Sequence, residues 1–318
     1  MTISLVRWIA AALILLAGAA SAVECIVPSK PGGAMDLTCK LLKNGLSSMP
    51  GVDDMHISYL PGGIGAVAWH TLALQRRAEA DTLVAFSGGS LLNLAQGKFG
   101  EARLDDVRWV AALGVDYGMI TVPSDSPFKT LPELIAGIKR NPGKVLIGVS
   151  GTIGSQDWAK MALLLKSAGI DPKVLHFVAF EGGGESFTAM QAGHVQLVSG
   201  DASEAMLYSK PGSIRALAVL SERRLPGAMA DVPTAREQGI DVVWPIIRGF
   251  WMGPQVTDAA YQKWVSRFDA MLATPQFAQT RAAYGMHPLA LTGPALTAHV
   301  RQAVEDYAKQ AANLGVLR

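Results

Sequence analysis

The chain has 318 residues, 50% of them hydrophobic and 17% charged, which excludes a wholly disordered polymer and supplies apolar material for one large core or two smaller ones. Its 28 Lys and Arg against 26 Asp and Glu give a formal charge of +2, so no strong global field draws nucleic acid or an anionic membrane. Cys25 and Cys39 are the two cysteines, too few for a dense disulfide scaffold; one bond between them and two separate thiols are both open readings.

The chain opens with Arg7 followed by a charge-free run from Trp8 to Ala22 that ends in Ala20-Ser21-Ala22. A short apolar run closing on small residues reads as a cleaved export signal over 1–22, and it is short for a membrane anchor, which needs roughly 20 apolar residues. The mature protein is then expected in the periplasm, starting at Val23. CIVPS (25–29), HISYLP (56–61), TLVAFS (82–87) and RWVAALG (108–114) read as strands, with helical patterns over 36–46 and 66–77 between them. Thr130 and Glu133 have capping-box spacing ahead of a helix, as do Thr234 and Glu237 before Gly239. VLIGVS (145–150), VLHFVAF (174–180), VQLVSG (195–200) and IRALAVL (214–220) repeat the strand pattern. A helix bearing Trp158, Met161, Ala162 and Leu165 follows the first of them. GFWMGP (249–254) is strand-like, and 259–272 and 295–313 are helical by periodicity.

Short apolar runs alternating with amphipathic helices predict an α/β fold of parallel sheets covered by helices. Two crossings, near 122 and near 244, divide it into a first domain of 23–122 plus 244–318 and a second of 123–243, with a ligand in the cleft between them. One extended doubly wound sheet is the alternative.

Five strand ends open into glycine and small polar residues, at 29–36, 60–65, 86–90, 150–157 and 180–186. In parallel α/β proteins strand ends and helix starts converge on one side and expose N–H groups suited to anions. The ligand-binding candidates are Ser29, Lys30, Pro31, Gly32, Gly33 and Asp36 in the first loop, Gly62 and Gly63 in the second, and Ser87 in the third. The fourth loop adds Ser150, Gly151, Thr152, Ile153, Gly154, Ser155, Asp157 and Trp158; Gly183 comes from the fifth and Arg248 from the second crossing. Arg248 suits a bidentate carboxylate contact or a structural pair at the hinge. Asp36 and Asp157 either hold helix starts or accept from a ligand hydroxyl, Lys30 is a contact or a solvated charge, and Trp158 is cleft wall or packing. No nucleotide loop, nucleophile elbow or compact metal pattern is present, so neither a cofactor nor a catalytic residue is expected.

The ordered segments VPSKPGGAMDLTCK, ISYLPGGIGAVAW, SGTIGSQDW, FVAFEGGGESFTAMQAGHVQLVSG and IRALAVLSERRLPGAMADVPTAREQGIDVVWPIIRGFWMGP resemble the extracytoplasmic solute receptors of tripartite tricarboxylate transporters over essentially the mature chain. The resemblance implies a two-domain type II periplasmic-binding fold. It also implies a receptor that binds a small organic carboxylate and hands it to large and small integral-membrane permease subunits, without catalysis; a monomer is expected. It maps the first signature onto Pro31, Gly32, Gly33 and Asp36, the second onto Gly62 and Gly63, and the third onto Ser150, Gly154 and Asp157. Glu185 matches an acidic position and Arg248 with Gly249 the arginine-glycine pair. Glu181 stands where serine is common, Trp158 where histidine is usual, and Lys30 in a loop of small residues, so a shifted specificity is expected. A sensory binding protein and an exported hydrolase using Ser150 are the alternatives.

Overall fold

The computed structural model describes residues 23–47, 49, 55–210 and 212–317; the export-signal reading of 1–22 lies outside the described residues. The chain begins β1 (Val23–Val27), α1 (Ala34–Leu46), β2 (Met55–Tyr59), α2 (Ala66–His70), β3 (Thr82–Ser87), α3 (Gly88–Ala95) and β4 (Arg108–Pro123). It continues α4 (Leu131–Arg140), β5 (Leu146–Ser150), α5 (Gln156–Ser167), β6 (His176–Phe180), α6 (Gly183–Gln191), β7 (Leu197–Asp201), α7 (Ala202–Tyr208) and β8 (Ile214–Val219). It closes with β9 (Pro245–Met252), α8 (Asp258–Leu272), α9 (Pro275–Ala283), β10 (Leu291–Thr292) and α10 (Gly293–Asn313).

The local chemistry explains the elements. β3 is buried at every position, which suits its unbroken apolar run to a central strand. In α4 the Thr130 hydroxyl accepts from Glu133 N at 3.3 Å, Leu131, Leu134, Ile135 and Ile138 form the buried stripe, and Lys139 and Arg140 sit in the last turn. The Thr234 and Glu237 capping box forms in both directions, at 3.0 and 2.7 Å, around a single 3₁₀ turn.

The sheet order is β2-β1-β3-β9-β4-β7-β5-β6, with β8 and β10 also on β4. β1 runs parallel to β2 and β3, and β5 parallel to β6 and β7, as the alternating pattern predicts. The wholly parallel expectation fails at the middle: β9 is antiparallel to β3 and β4, and β4 is antiparallel to β7 and β8. The cause is β4 itself. Its 16 residues pair with β9 as far as Tyr117 and with β7 from Gly118 onward, so one strand serves both halves of the sheet. Trp244 brings the chain back beside it, donating to Leu220 O at 2.8 Å and accepting from Gly118 N at 3.0 Å.

Each half has its own core. Leu134, Ile147, Met161, Leu165 and Leu217 fill the second; Leu41, Leu83, Val110, Phe250, Trp264 and Phe268 fill one face of the first, and Trp69, Phe86, Trp109 and Trp251 the other. Cys25 and Cys39 are bonded and fully buried, tying β1 to α1, so of the two open readings the single bond is the one realised.

Candidate functional site

The ends of β1, β3, β5 and β6 lead directly into α1, α3, α5 and α6, and all four helix starts border one cavity of about 120 Å³. The first N–H groups of a helix have no partner within it, so this arrangement gathers backbone donors and the positive ends of four helix dipoles. Pro28, Met35, Ile64 and Phe180 supply an apolar side. Among the described residues Ile64 is the one non-glycine with positive φ, at 53°, a conformation costly for a β-branched side chain and held here beside the cavity.

Much of the backbone capacity is already used by the protein's own carboxyl groups. Asp36 accepts from Gly32 N at 2.8 Å, Asp157 from Ser150 N at 2.8 Å, and Glu204 from Ala34 N at 2.8 Å. Glu204 also accepts from Asp201 N at 3.2 Å. Its carboxyl fits because position 183 is glycine: a Cβ there would lie 1.9 Å from Glu204 Oε1.

A buried ionic network lies behind these groups. Lys160, wholly buried, pairs with Asp157 at 2.9 Å and Asp201 at 2.8 Å and donates to Gly200 O at 2.5 Å. Arg248, 2% exposed, donates to Asp116 at 3.2 Å and to Asp201, while Ser203 Oγ donates to Asp116 at 2.6 Å. Burial pushes Asp116 and Asp157 up despite the Arg248 and Lys160 cations beside them. Asp201 is also buried, yet Lys160 and Arg248 together hold it below its ordinary value. Glu204 has no such pair of cations: burial, then Asp201 and Asp157, push it up to about 8. The same buried network holds the Lys160 and Arg248 charges in place against their own desolvation.

Of the residues expected at the site, Ser29, Gly33, Ser87, Ser150, Gly151, Ser155, Asp157, Gly183 and Arg248 border the cavity. Gly63 and Thr152 border an adjoining outer groove of about 290 Å³. The others stand back from the cavity. Lys30 pairs with Glu185 at 2.6 Å, and Pro31 is exposed. Gly32 O accepts from Tyr208 at 2.9 Å, Asp36 is fully buried under Lys40 and Tyr59, and Gly62 packs on Val67. Ile153 points outward with 55% exposure, and Gly154 O accepts from Gln96 at 2.8 Å. Trp158 belongs to the second core, so of its two readings packing is the one realised. The bidentate contact expected of Arg248 meets competition from Asp116 and Asp201, which engage its Nη2.

Sequence reading missed Asn93, Gln156, Asp201 and Glu204 at the cavity. Asp201 and Glu204 carried a usable signal, since an acidic residue three positions after an Asp at a strand end is a helix-start pattern. Asn93 carried none, because the glycines that begin α3 hide that helix in the sequence.

Comparison with known proteins decides the family. The family described as the tripartite tricarboxylate transporter family receptor matches residues 95–312, more than half of the chain. The chain belongs to this family. The receptor is 27% identical to a UPF0065 protein of Bordetella pertussis over 294 residues, covering 90% of this chain and 89% of that one. A UPF0065 protein of Cupriavidus necator is 31% identical over 185 residues, 58% of this chain and 54% of that one. Among solved structures, the periplasmic binding protein BugD superposes with a TM-score of 0.82 at 21% identity, covering 93% of this chain and 98% of that one. MatC from Rhodopseudomonas palustris with bound malate gives 0.78 at 21% identity, covering 91% and 98%. An R. palustris protein with adipate gives 0.82 at 19% identity, covering 92% and 97%. The receptor therefore has the periplasmic-binding-protein α/β fold, and it is a solute-binding protein of a transporter-receptor family rather than an enzyme.

Proposed function

We propose that the receptor captures a small organic carboxylate between two α/β domains, 23–122 with 244–318 and 123–243, by closing one onto the other. It then delivers the solute to the large and small membrane subunits of a tripartite permease. The observation that carries this reading is the convergence of four helix starts on one small cavity bordered by both halves of the sheet. Contacts across the two halves fit a closed state: Lys30 to Glu185, Tyr208 to Gly32 O, Gln96 to Gly154 O and Lys98 to Ile153 O, the last at 2.9 Å. The malate and adipate held by proteins of the same fold support an organic acid as ligand. The proposed contact residues are those bordering the cavity, with Ser29, Gly33, Ser87, Ser150, Ser155 and Gly183 at the helix starts. In this reading 1–22 is a cleaved export signal and the mature receptor is a monomer.

Titration calorimetry on protein unfolded and refolded to remove carried-over solute, against a panel of mono-, di- and tricarboxylates and amino acids, tests the proposal. Saturable binding of an organic acid without its consumption is expected. Binding of sugars alone, or of no acid in the panel, overturns it.

A further inference from the structure

We propose that the receptor docks on its permease through the outer edge of β6, which takes up an extended, largely apolar segment of a membrane subunit as a further strand of the sheet. The proposal rests on the delivery reading above and names the place and form of that contact.

The backbone is the first ground. β6 ends the sheet and pairs on one side alone, parallel to β5. Phe180 O accepts from Gly151 N at 2.8 Å, so Phe180 turns its peptide groups towards β5. By the alternation of a strand His176 and Val178 do the same, and Phe177 and Ala179 turn theirs outward. Among the described residues no strand lies beyond them, so their N–H and C=O groups are open to a new ladder.

The side chains are the second ground. Sheet edges are ordinarily guarded by charge, proline or a bulge. At the opposite edge β2 alternates apolar and polar residues, and its Ser58 and Tyr59 hydroxyls are spent on Glu24 and Asp36. β6 is His176-Phe177-Val178-Ala179-Phe180, with no lysine, arginine, carboxylate or proline and an unbroken register. Phe177 packs on the second core and Val178 and Phe180 on the cluster around Phe187, yet all three stay partly exposed and Ala179 is exposed. The ends of this apolar edge are charged oppositely. Lys173 in the turn before β6 and Glu181 just after it are exposed and have no ion pair among the described residues, Lys30 being taken by Glu185. A strand that is apolar along its length, acidic beside Lys173 and basic beside Glu181 is the complement.

The third ground is where the edge leads. Ala179, Phe180 and Glu181 border the outer groove, whose other members include Gly63, Ile64 and Lys98 of the first half. Ile64, Phe180 and Glu181 border the cavity as well. The groove is thus built by both halves, which the bond from Lys98 to Ile153 O ties together. A segment laid along β6 runs into a groove that is complete when the halves meet, so docking reads closure without touching the solute.

Photo-crosslinking in the source bacterium tests the proposal, with the full chain carrying p-benzoylphenylalanine at Ala179 or, for comparison, at the exposed His56 of β2. An adduct with a permease subunit, identified by mass spectrometry, is expected from Ala179 at roughly fivefold the yield from His56 or more. Lys173→Glu should cut that yield several-fold. With the crosslinker at Thr152, which borders the same groove, Ala179→Pro removes an outward N–H while sparing the ladder to β5 and should cut the yield too; Ala179→Val keeps the N–H and should not. Equal yields at the two edges, no adduct at Ala179, or an adduct with a second copy of the receptor alone overturns the docking surface. Delivery is read separately, from uptake of the radiolabelled carboxylates of the calorimetry panel by cells with and without the receptor. Uptake that falls on deletion keeps the delivery reading standing whatever the crosslinks show; uptake of every acid unchanged by deletion overturns delivery and the docking surface with it. Should Ala179→Pro fail to fold, the comparison of Ala179 with His56 and the Lys173→Glu variant decide without it.

Discussion

The two walls of the cavity are built alike and charged oppositely. The wall from the first half of the sheet, carrying α1 and α3, contributes backbone, serines, apolar groups and the guanidinium of Arg248. The wall from the second half, carrying α5, α6 and the end of β7, contributes all four carboxyl groups. Both present helix starts, so the dipoles do not distinguish them; the side chains do.

The largest expected effect comes from abolishing the difference at its source. Arg248→Met leaves Asp116 buried without its cation and Asp201 with Lys160 alone, and breaking such a pair costs about 3–5 kcal/mol. Urea denaturation should show that loss with or without solute. Full stability with lost affinity would instead mean that the guanidinium serves the ligand. Removing the Cys25–Cys39 bond with Cys25→Ser and Cys39→Ser should cost about 3 kcal/mol for a loop of this length. Because the bond ties β1 to α1 beneath the first wall, affinity measured by calorimetry under conditions where the variant is folded should change little.

What the sequence could convey follows from range. Period-two and period-3.6 patterns are local, so β1, β3, β5, β6, α1, α5, α8 and α10 were legible, as was the alignment of glycine loops at strand ends. The single long β4 was not, because Gly114, Asp116 and Gly118 interrupt its apolar run and read as a break. Asp116 is tolerated there since Arg248, 132 positions away, pairs with it, and no local pattern announces that partner. α3 and α6 were hidden by the glycines that begin them. At the site the convergence of loops was legible and the polarity was not: Glu204 reaches Ala34 across 170 positions, and Trp158 was equally suited to wall or core until its neighbours were known.

The acidic wall should be visible in the pH dependence of stability. Glu204 in the folded protein titrates near 8 instead of its ordinary 4.5, so between those values the folded state holds a proton that the unfolded chain has released. Stability from this group is therefore present below about pH 4.5 and is lost as pH rises towards 8, on the order of 2–3 kcal/mol between pH 6 and 8. Thermal unfolding across pH 6 to 9 should show a decline for the wild type and a flatter profile for Glu204→Gln. Identical slopes in the two proteins would show that Glu204 is not the group holding the proton.

The smallest effect belongs to an ion pair that joins the walls from outside. Lys30 reaches from the β1–α1 loop to Glu185 on α6, with the two side chains 48% and 35% exposed. Exposed pairs of this kind add little to stability and are screened by salt. Lys30→Ala should therefore leave the thermal midpoint nearly unchanged. Its consequence lies in closure, because the bridge connects halves that the proposed mechanism moves relative to one another. A loss of affinity of roughly twofold to fivefold is expected at low ionic strength and should vanish at high salt. Were the lysine a direct contact of the solute, the loss would be larger and would persist for a ligand series in which only the carboxylate is kept. The salt titration thus separates a latch between the walls from a cation belonging to the first wall alone.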